Sequence, residues 1–318
     1  MRPARILATV TGCLILAGSL FITCSAFFNP QAQVFVLAAP LAPWAILGYL
    51  LAGLLLIMGR SPRSLRVVGC LIASIGLILH VAWIVPSFKS PKPIPEANLR
   101  VIQFNTNRGH ADPLEVKALL AKTKPDVFVM AEATPDFLTE INANGAVGPG
   151  GIVPEYAEVP PGQMLGVVTY ARFPITFQDS TTVSDGAYSF KVHAPNPFNL
   201  IAVHTAEPLI AFDNYRRDYA NLLPMVKHAP RPLLVVGDLN VTGDSLPFKE
   251  LTKLGLRDAA IGAGSGWQPT WPSKLGPLAL LTLDHVLFSD DFEVAKTTTV
   301  RVPGSDHLAL IADLLGPA

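Results

Sequence analysis

The first 88 residues of the chain contain no acidic residue and no lysine, and arginine occurs there at only five positions. Between Ile6 and Met58 there is no charged residue of any kind, a run of 53 residues. A run of this length can hold two membrane-spanning helices of about 20 residues each. The absence of charge therefore predicts that the front of the chain lies in a membrane.

Polar interruptions divide this region into three predicted spans. Residues 29–33 (Asn-Pro-Gln-Ala-Gln) separate a span at about 6–27 from one at about 36–58, and a third follows at about 67–87. A cleavable signal peptide is the alternative for the first span, but the apolar run exceeds the roughly 7–15 residues of such a peptide and two more runs follow. We therefore expect a transmembrane region over residues 1–88.

The arginines predict the orientation of these spans. Arg2 and Arg5 precede the first span and three arginines lie between the second and third, whereas the loop between the first and second has no charge. The positive-inside rule then places the N-terminus in the cytoplasm and everything after residue 88 outside it. Lys89 and Lys92 argue the other way, with two charges against five. The prediction is a multi-pass plasma-membrane protein with an extracytoplasmic domain.

A proline-rich linker is predicted at 89–97, followed by a domain at 98–318. The chain's three cysteines, Cys13, Cys24 and Cys70, all precede this domain, which excludes disulfides and thiolate metal sites from it. From residue 89 onward the chain carries 19 of its 24 basic residues and all 24 acidic ones, with no basic run. Nucleic acid is therefore disfavoured as a partner, because binding it relies on Lys and Arg neutralising phosphates.

Runs of apolar residues bounded by Pro, Gly and Asp predict an α/β domain rich in strands. Many strands with few helices favour two packed sheets with helices outside over one doubly wound sheet. The predicted strands are 99–105, 127–132, 165–172, 198–204, 233–236, 280–288 and 308–312. The predicted helices are 113–122, a short one from 134, 211–228 and 245–254.

Side chains able to do chemistry follow these strands where they end. They are Asn105, Asn107, Glu132, His204, Asp238, Asn240, Asp284, Asp306 and His307. Taken singly, each has a plain interpretation as a solvated strand end, an Asx turn or a surface histidine. Their occurrence at six strand ends favours a common site. Oxygen ligands without cysteine favour Mg²⁺ or Mn²⁺ over Zn²⁺.

The segment from Asn98 to Leu315 resembles the endonuclease/exonuclease/phosphatase superfamily. The motifs that carry the resemblance are Phe104-Asn105, Pro125-Asp126 through Glu132, Gly166 to Pro174, Val203-His204, Gly237-Asp238-Leu239-Asn240, Leu283-Asp284-His285 and Ser305-Asp306-His307. The resemblance implies a four-layered α/β sandwich of two packed mixed β-sheets flanked by helices. It also implies a Mg²⁺-dependent attack of water on a phosphate ester or anhydride.

The resemblance implies roles for these residues as well. Glu132 would be the main metal ligand, with Asn105, Asn107 and Asp306 around it. Asp238 and Asn240 would orient the water and the scissile phosphate, and His307, oriented by Asp284, would contact that phosphate. His204 matches a position that is a second catalytic histidine in some members.

The chain departs from the superfamily pattern at two points. Many DNA-repair members carry Asp in place of Asn107. In addition, no acidic residue between Glu132 and His204 is assigned as a partner of His204. The three-span front resembles bacterial membrane proteins of this superfamily, including those associated with glycopeptide resistance.

We therefore predict a membrane-anchored metal-dependent hydrolase, a phosphatase or phosphodiesterase. Its expected substrate is a phosphoester or pyrophosphate at the outer membrane surface, such as a lipid-linked (polyprenyl) phosphate. The alternatives are an extracytoplasmic nuclease with the same chemistry and a non-enzymatic membrane interaction module.

Overall fold

The computed structural model of the protein describes residues 2–89, 96–142 and 164–317. Most of the predicted linker, residues 90–95, and most of a predicted Gly/Asn-rich loop after residue 142 lie outside the described residues. The chain forms two compact units: Met1–Pro86 with Gly243–Leu246, and Ser87–Thr242 with Pro247–Ala318. Each unit is described by itself.

The first unit contains three helical segments that are long and apolar enough to cross a membrane: Pro3–Phe28, Gln33–Met58 and Arg63–Phe88. They correspond to the three predicted spans. Their α-helices are α1 (Arg2–Phe28), α2 (Gln33–Ala38), α3 (Ala45–Met58) and α4 (Arg63–Ile84).

The second span is less regular than the sequence predicts. A 3₁₀ segment, Ala39–Trp44, joins α2 to α3 and contains Pro40 and Pro43. Proline has no backbone N–H and its ring clashes with the preceding helical turn, so a regular α-helix cannot continue through this segment.

Small and hydroxyl-bearing residues hold these helices together. The ring of Tyr49 on α3 packs directly over Gly76 on α4. Thr23 on α1 hydrogen-bonds through Oγ1 to the Tyr49 hydroxyl at 2.6 Å and to Nε2 of His80 at 2.8 Å. Such contacts are typical of helix association in membranes, where close backbone approach and interhelical hydrogen bonds replace the hydrophobic effect.

The second unit contains eleven strands among its described residues. They are β1 (Leu99–Asn105), β2 (Val127–Ala131), β3 (Val167–Ala171), β4 (Ile175–Thr181), β5 (Ala187–Val192), β6 (Phe198–His204), β7 (Leu233–Asp238), β8 (Arg257–Asp258), β9 (Asp284–Phe288), β10 (Glu293–Arg301) and β11 (Leu308–Leu315). The helices are α5 (Pro113–Thr123), α6 (Pro135–Asn142), α7 (Phe212–His228), α8 (Leu246–Lys253) and α9 (Ala259–Gly262).

These strands form two mixed β-sheets, which confirms the predicted fold class. One sheet has the order β10-β11-β1-β2-β3 and the other the order β4-β5-β6-β7-β9-β8. One apolar core lies between the sheets, with Val101, Val129, Val236 and Val286 among its members. A second core fills the space between the first sheet and helices α5 and α6.

The alternation of side chains along β1 shows how the layers are built. Leu99 and Val101 point into the core between the sheets, whereas Ile102 and Phe104 point toward α5 and α6. Successive strand residues face opposite sides, so Asn105 belongs to the inter-sheet face. Asn105, the last residue of β1, therefore lies at one end of the core between the two sheets.

Four strands of the domain were not predicted: β4, β5, the two-residue β8 and β10. Strand β4 is exposed along most of its length and reads as polar sequence. The predicted strand 280–288 is also shorter than expected, beginning at Asp284. Leu280 and Leu281 instead hydrogen-bond to the carbonyl of Trp271 and form a local bridge there.

Candidate active site

Three neighbouring strands of one sheet end in a row of polar residues. His204 on β6 is the register partner of Asp238 on β7, and Asp238 is the partner of Asp284 on β9. All three side chains are buried. Each lies two residues from an inward-facing core position of its strand (Ala202, Val236 and Val286). The alternation that fills the core thus also brings these three side chains together.

Close approach between β6 and β7 depends on Gly237. A Cβ atom at this position would overlap the carbonyl oxygen of Val203 on the neighbouring strand. Only glycine lets the two strands pair closely here, and the pairing fixes the distance between His204 and Asp238.

Asn105 reaches across from the other sheet and links two carboxylates. Its Nδ2 donates to Glu132 Oε1 at 3.0 Å and to Asp238 Oδ2 at 3.0 Å. Its Oδ1 accepts from the backbone N–H of Asn107 at 2.8 Å. Asn105 therefore holds the ends of the two sheets together at the site.

Glu132 follows β2 with a backbone in the left-handed region, at a φ of 57°. Its Oε2 accepts from the backbone N–H of Arg108 at 3.0 Å, and its Oε1 lies 3.9 Å from Nε2 of His204. Asn107, Arg108 and Asn240 share the left-handed backbone. Strained backbone of this kind in residues other than glycine clusters at functional sites.

His307 lies between two of the buried acids. Its Nδ1 hydrogen-bonds to Asp284 Oδ2 at 2.7 Å, and its Nε2 lies 3.7 Å from Asp238 Oδ2. Burial by itself would lower the pKa of His307, but the charges of Asp284, Asp238 and Asp306 raise it to about 10. The imidazole is therefore protonated at neutral pH and can donate to an anionic oxygen.

The other predicted site residues surround this cluster. The Asn240 N–H donates to Asp238 Oδ1 at 3.0 Å, and Asn240 Nδ2 donates to the carbonyl of Thr205 at 2.8 Å. The exposed Asp306 accepts from the indole N–H of Trp271 at 3.2 Å. Asn107 Nδ2 donates to the carbonyl of Gly304 at 3.2 Å. The side chain of Asp238 therefore also forms, with the Asn240 N–H, the Asx turn that is the plain interpretation of this motif.

The arrangement suits a divalent cation. Ligand-type atoms of Asp238, Asp284 and His307 lie within 4.8 Å of one another. Because protonated His307 has no lone pair to offer, the two carboxylates are the possible ligands in this group. Asp284 Oδ1 is buried without a hydrogen-bond partner among the described residues. A buried carboxylate oxygen is costly without a proton donor or cation nearby, so the donor set fits a metal. The resemblance placed Asp238, Asp284 and His307 around the phosphate, and its own metal ligands, Glu132 and Asn105, directly adjoin them.

One buried acid next to the site, Asp218, was not predicted from the sequence. Asp218, on α7, accepts from the N–H and the hydroxyl of Ser184 at 3.0 and 2.9 Å, and from the N–H of Ala206 at 2.8 Å. It therefore joins the segment before β5 to the segment after His204. The sequence signal was an aspartate on the apolar face of an amphipathic helix, next to Tyr215, Tyr219 and Leu222.

Two further carboxylates also escaped the sequence analysis. Burial raises the pKa of Asp185, which lies near His204 and Glu132. Burial also raises the pKa of Glu207, with Asp238, Glu132 and Asp306 adding to the effect. Asp185 lies between Glu132 and His204 in the sequence, but no hydrogen bond or ion pair joins it to His204 among the described residues. Neither position belongs to one of the recognised motifs.

Solved structures from several organisms share this fold. An endonuclease/exonuclease/phosphatase from Beutenbergia cavernae DSM 12333 is 21% identical, with a TM-score of 0.52 over 69% of this chain and 72% of its own. A family protein from Bacteroides thetaiotaomicron is 15% identical, with a TM-score of 0.54 over 71% and 100%. D. rerio TDP2, complexed with a single-strand DNA product, is 14% identical, with a TM-score of 0.53 over 68% and 98%.

The solved structures show the fold, and the family is shown by the comparison with family models. No curated protein matches the chain. Residues 102–307 match the Endonuclease/Exonuclease/phosphatase family, and this segment contains every residue of the site described above. The chain therefore belongs to the Endonuclease/Exonuclease/phosphatase family.

Proposed function

We propose that the protein is a membrane-anchored, Mg²⁺-dependent phosphohydrolase that cleaves a phosphoester or pyrophosphate bond. The observation that carries the proposal is the buried cluster of Asp238, Asp284 and His307, with Glu132 and Asn105 adjoining it. Phosphoryl transfer requires positioning and charge stabilisation more than covalent chemistry by the protein. A set of acids, amides and imidazoles in this arrangement can supply both.

Glu132 and Asn105, with Asn107 and Asp306 around them, are the residues proposed to hold the cation. When bound, a Mg²⁺ or Mn²⁺ ion polarises the phosphate and offsets its negative charge. Asp238 orients the attacking water, and Asn240 assists it. Protonated His307 donates to a phosphate oxygen while Asp284 fixes its orientation through Nδ1. His204, whose Nδ1 is buried without a partner among the described residues, protonates the leaving group.

The rim of the site favours an amphiphilic substrate. Leu209 and Ile210 follow β6 just beyond the site and are 60% and 75% exposed, and Leu278 is 71% exposed. Leu278 belongs to a 3₁₀ segment, Ser273–Leu278, which Ser273 anchors to the carbonyls of Ser305 and Asp306. Exposed aliphatic side chains on segments next to site residues are consistent with a lipid-contacting surface, one of the uses of exposed apolar patches.

The anchor supports the same substrate class. Ten residues separate Phe88, where the third candidate span ends, from Leu99 at the start of β1. Even fully extended, such a tether spans only about 35 Å. We propose that the domain works on a lipid-linked phosphate or pyrophosphate, such as that of a polyprenyl carrier, at the outer face of the plasma membrane. Reporter fusions after residue 95 test the orientation: a reporter that folds only outside the cytoplasm is expected to be active.

A nuclease is the second candidate, because the structurally similar D. rerio TDP2 is bound to a single-strand DNA product. The charge of this chain argues against it. From residue 89 onward, acidic residues outnumber basic ones by 24 to 19. A mildly acidic surface gives little electrostatic attraction for a polyanion such as DNA. A small phosphate group bound through a metal cation does not need a basic protein surface.

One comparison separates the two candidates. Purified full-length protein is given Mg²⁺ and either a lipid pyrophosphate in mixed micelles or supercoiled plasmid. The Glu132→Gln variant, prepared in the same way, controls for contaminating enzymes. We expect lipid hydrolysis that Glu132→Gln abolishes, and little nicking. Plasmid nicking without lipid hydrolysis would overturn the lipid assignment in favour of the nuclease.

A further inference from the structure

Beside the catalytic cluster lies a cleft of about 860 Å³ that the proposed mechanism does not use. Residues with hydroxyl groups dominate one wall, namely Ser180, Thr181, Thr182, Ser184 and Tyr188. Asp185 and Gly166 also line it, and Arg108 is the one cation among the described residues of the lining. The size falls within the range of roughly 300–1,000 Å³ that is usual for small-molecule sites.

The cleft adjoins the candidate metal ligands. The Arg108 N–H donates to Glu132 Oε2 at 3.0 Å, and the carbonyl of Gly166 accepts from the Glu132 N–H at 2.9 Å. Arg108 is therefore fixed by its backbone to a proposed metal ligand, while its side chain belongs to the cleft wall. A ligand in the cleft would have its nearer end at the catalytic centre.

The backbone around Arg108 limits where its side chain can go. Asn107, Arg108 and Gly109 have φ values of 52°, 53° and 71°, three left-handed residues in succession. This conformation costs free energy in residues other than glycine. Arg108 is exposed, and its guanidinium has no hydrogen bond or ion pair to any described residue. The exposed guanidinium is thus available to an anion from solution.

The order of strands places this cleft on one side of the catalytic row. The cleft residues at 180–188 belong to β4, β5 and the segment between them, next to His204 on β6. The exposed Leu278 belongs to the segment before β9, which pairs with β7 on the side opposite β6.

We propose that Arg108 and this cleft form a second anion subsite, which binds the phosphate next to the one that is attacked. The subsite rests on the proposed function and selects the pyrophosphate among its substrates. Guanidinium groups bind phosphate through two parallel N–H donors. The hydroxyls of Thr181 and Thr182 on the cleft wall offer further donors, whereas that of Ser184 already donates to Asp218. Since carboxylates crowd the rest of the site, the second phosphate of a diphosphate needs a separate cation, and Arg108 provides one.

The test compares two phosphonates that cannot be hydrolysed at a P–O–P bond: methylenediphosphonate, with two anionic groups, and methylphosphonate, with one. Their binding to full-length protein in detergent with Mg²⁺ is measured by calorimetry for wild type, Arg108→Gln and Arg172→Gln. Arg172 is a suitable control because it is exposed and follows β3 at the end opposite the site. Arg108→Lys tests whether a point charge is sufficient.

We expect wild type and Arg172→Gln to bind methylenediphosphonate at least about tenfold more tightly than methylphosphonate, and Arg108→Gln to lose this preference. Arg108→Lys is expected to keep only part of it. A preference that survives Arg108→Gln, or no preference in wild type, would overturn the subsite. Because binding is measured without turnover, the result is separate from the lipid-hydrolysis test of the proposed function.

Discussion

At the scale of single residues, the two carboxylate oxygens of Asp284 have different surroundings. Oδ2 accepts from His307 Nδ1 at 2.7 Å, and Oδ1 is buried without a partner among the described residues. The first oxygen orients the imidazole, and the second is available to a cation. Both contacts favour a carboxylate over an amide at the first residue of β9.

The Asp284→Asn variant is expected to fold but to lose turnover. An amide keeps the shape but removes the negative charge that favours protonated His307. We expect kcat to fall by on the order of 10²–10³. Asp313→Asn is the matched control, since Asp313 forms a partly exposed ion pair with Arg100 away from the proposed chemistry. Steady-state kinetics of both variants with Mg²⁺ provide the test, and equal activity of the two would contradict the role of Asp284.

A second histidine affects stability instead of chemistry. His285 is fully buried between Asp258 Oδ2 and the carbonyl of Val241, each 2.9 Å from a ring nitrogen. Both partners accept, so only the protonated imidazole satisfies them. Burial is the largest single effect and lowers the pKa of His285. The hydrogen bond and charge of Asp258, the carbonyl of Val241 and the charge of Asp284 together outweigh it and raise the pKa above the usual value.

This raised pKa predicts how stability depends on pH. The contribution of protonated His285 is complete below its unfolded pKa of about 6.5 and is lost as the pH rises through the higher folded pKa. The fall in unfolding temperature caused by His285→Gln should therefore be largest near pH 6 and shrink as the pH rises. Thermal unfolding in detergent at a series of pH values measures it. His193→Gln, which changes an exposed histidine bonded to Thr176, is the control. A difference that grows with pH would contradict the assignment.

Residues in strand-end motifs could be predicted from sequence, and supporting residues could not. Asp238 and His204 each end a strongly apolar strand, so their position was readable. Asp185 and Asp218 lie outside such motifs, and only the folded chain brings them beside the catalytic row. The sequence does not distinguish Arg108 from other surface arginines. Its position on the cleft wall depends on the left-handed turn of the folded chain.

At the scale of secondary-structure elements, burial decided which strands the sequence revealed. Strands β1 and β6 are buried nearly throughout and were predicted with correct ends. Strand β4 is mostly exposed at the edge of its sheet, so its sequence carries no apolar signal. Pro40 and Pro43 are visible in the sequence of the second apolar span. The span was nevertheless predicted as one continuous helix, because its hydropathy is high throughout.

The membrane helices offer two glycines that differ only in their surroundings. A Cβ at Gly76 would overlap the ring of Tyr49, whereas a Cβ at Gly18 would meet nothing within 4 Å. Gly76→Leu is expected to separate α3 from α4 and lower the unfolding temperature in detergent by several degrees or more. Gly18→Leu should leave it nearly unchanged. Equal effects of the two substitutions would contradict the packing described for these helices.

At the scale of the whole molecule, an apolar anchor and a hydrolase-like domain share one chain. Membership of the family accounts for the domain, and three candidate spans account for the anchor. The resemblance to membrane proteins associated with glycopeptide resistance stays a prediction, as do the orientation in the membrane and the residue boundaries between anchor, linker and domain. What joins the two parts functionally is the proposed substrate, a phosphate attached to a lipid.

The central claim is that the acid–histidine cluster is a metal-dependent hydrolytic site. Its most direct test is to titrate Mg²⁺ into metal-free, full-length wild type and Glu132→Gln while following phosphate release from lipid pyrophosphate. Wild-type turnover is expected to rise from zero to saturation, and Glu132→Gln to remain at least about 10³-fold lower at every concentration while its fold is retained. Turnover that is independent of metal, or full activity of Glu132→Gln at limiting Mg²⁺, would contradict the account.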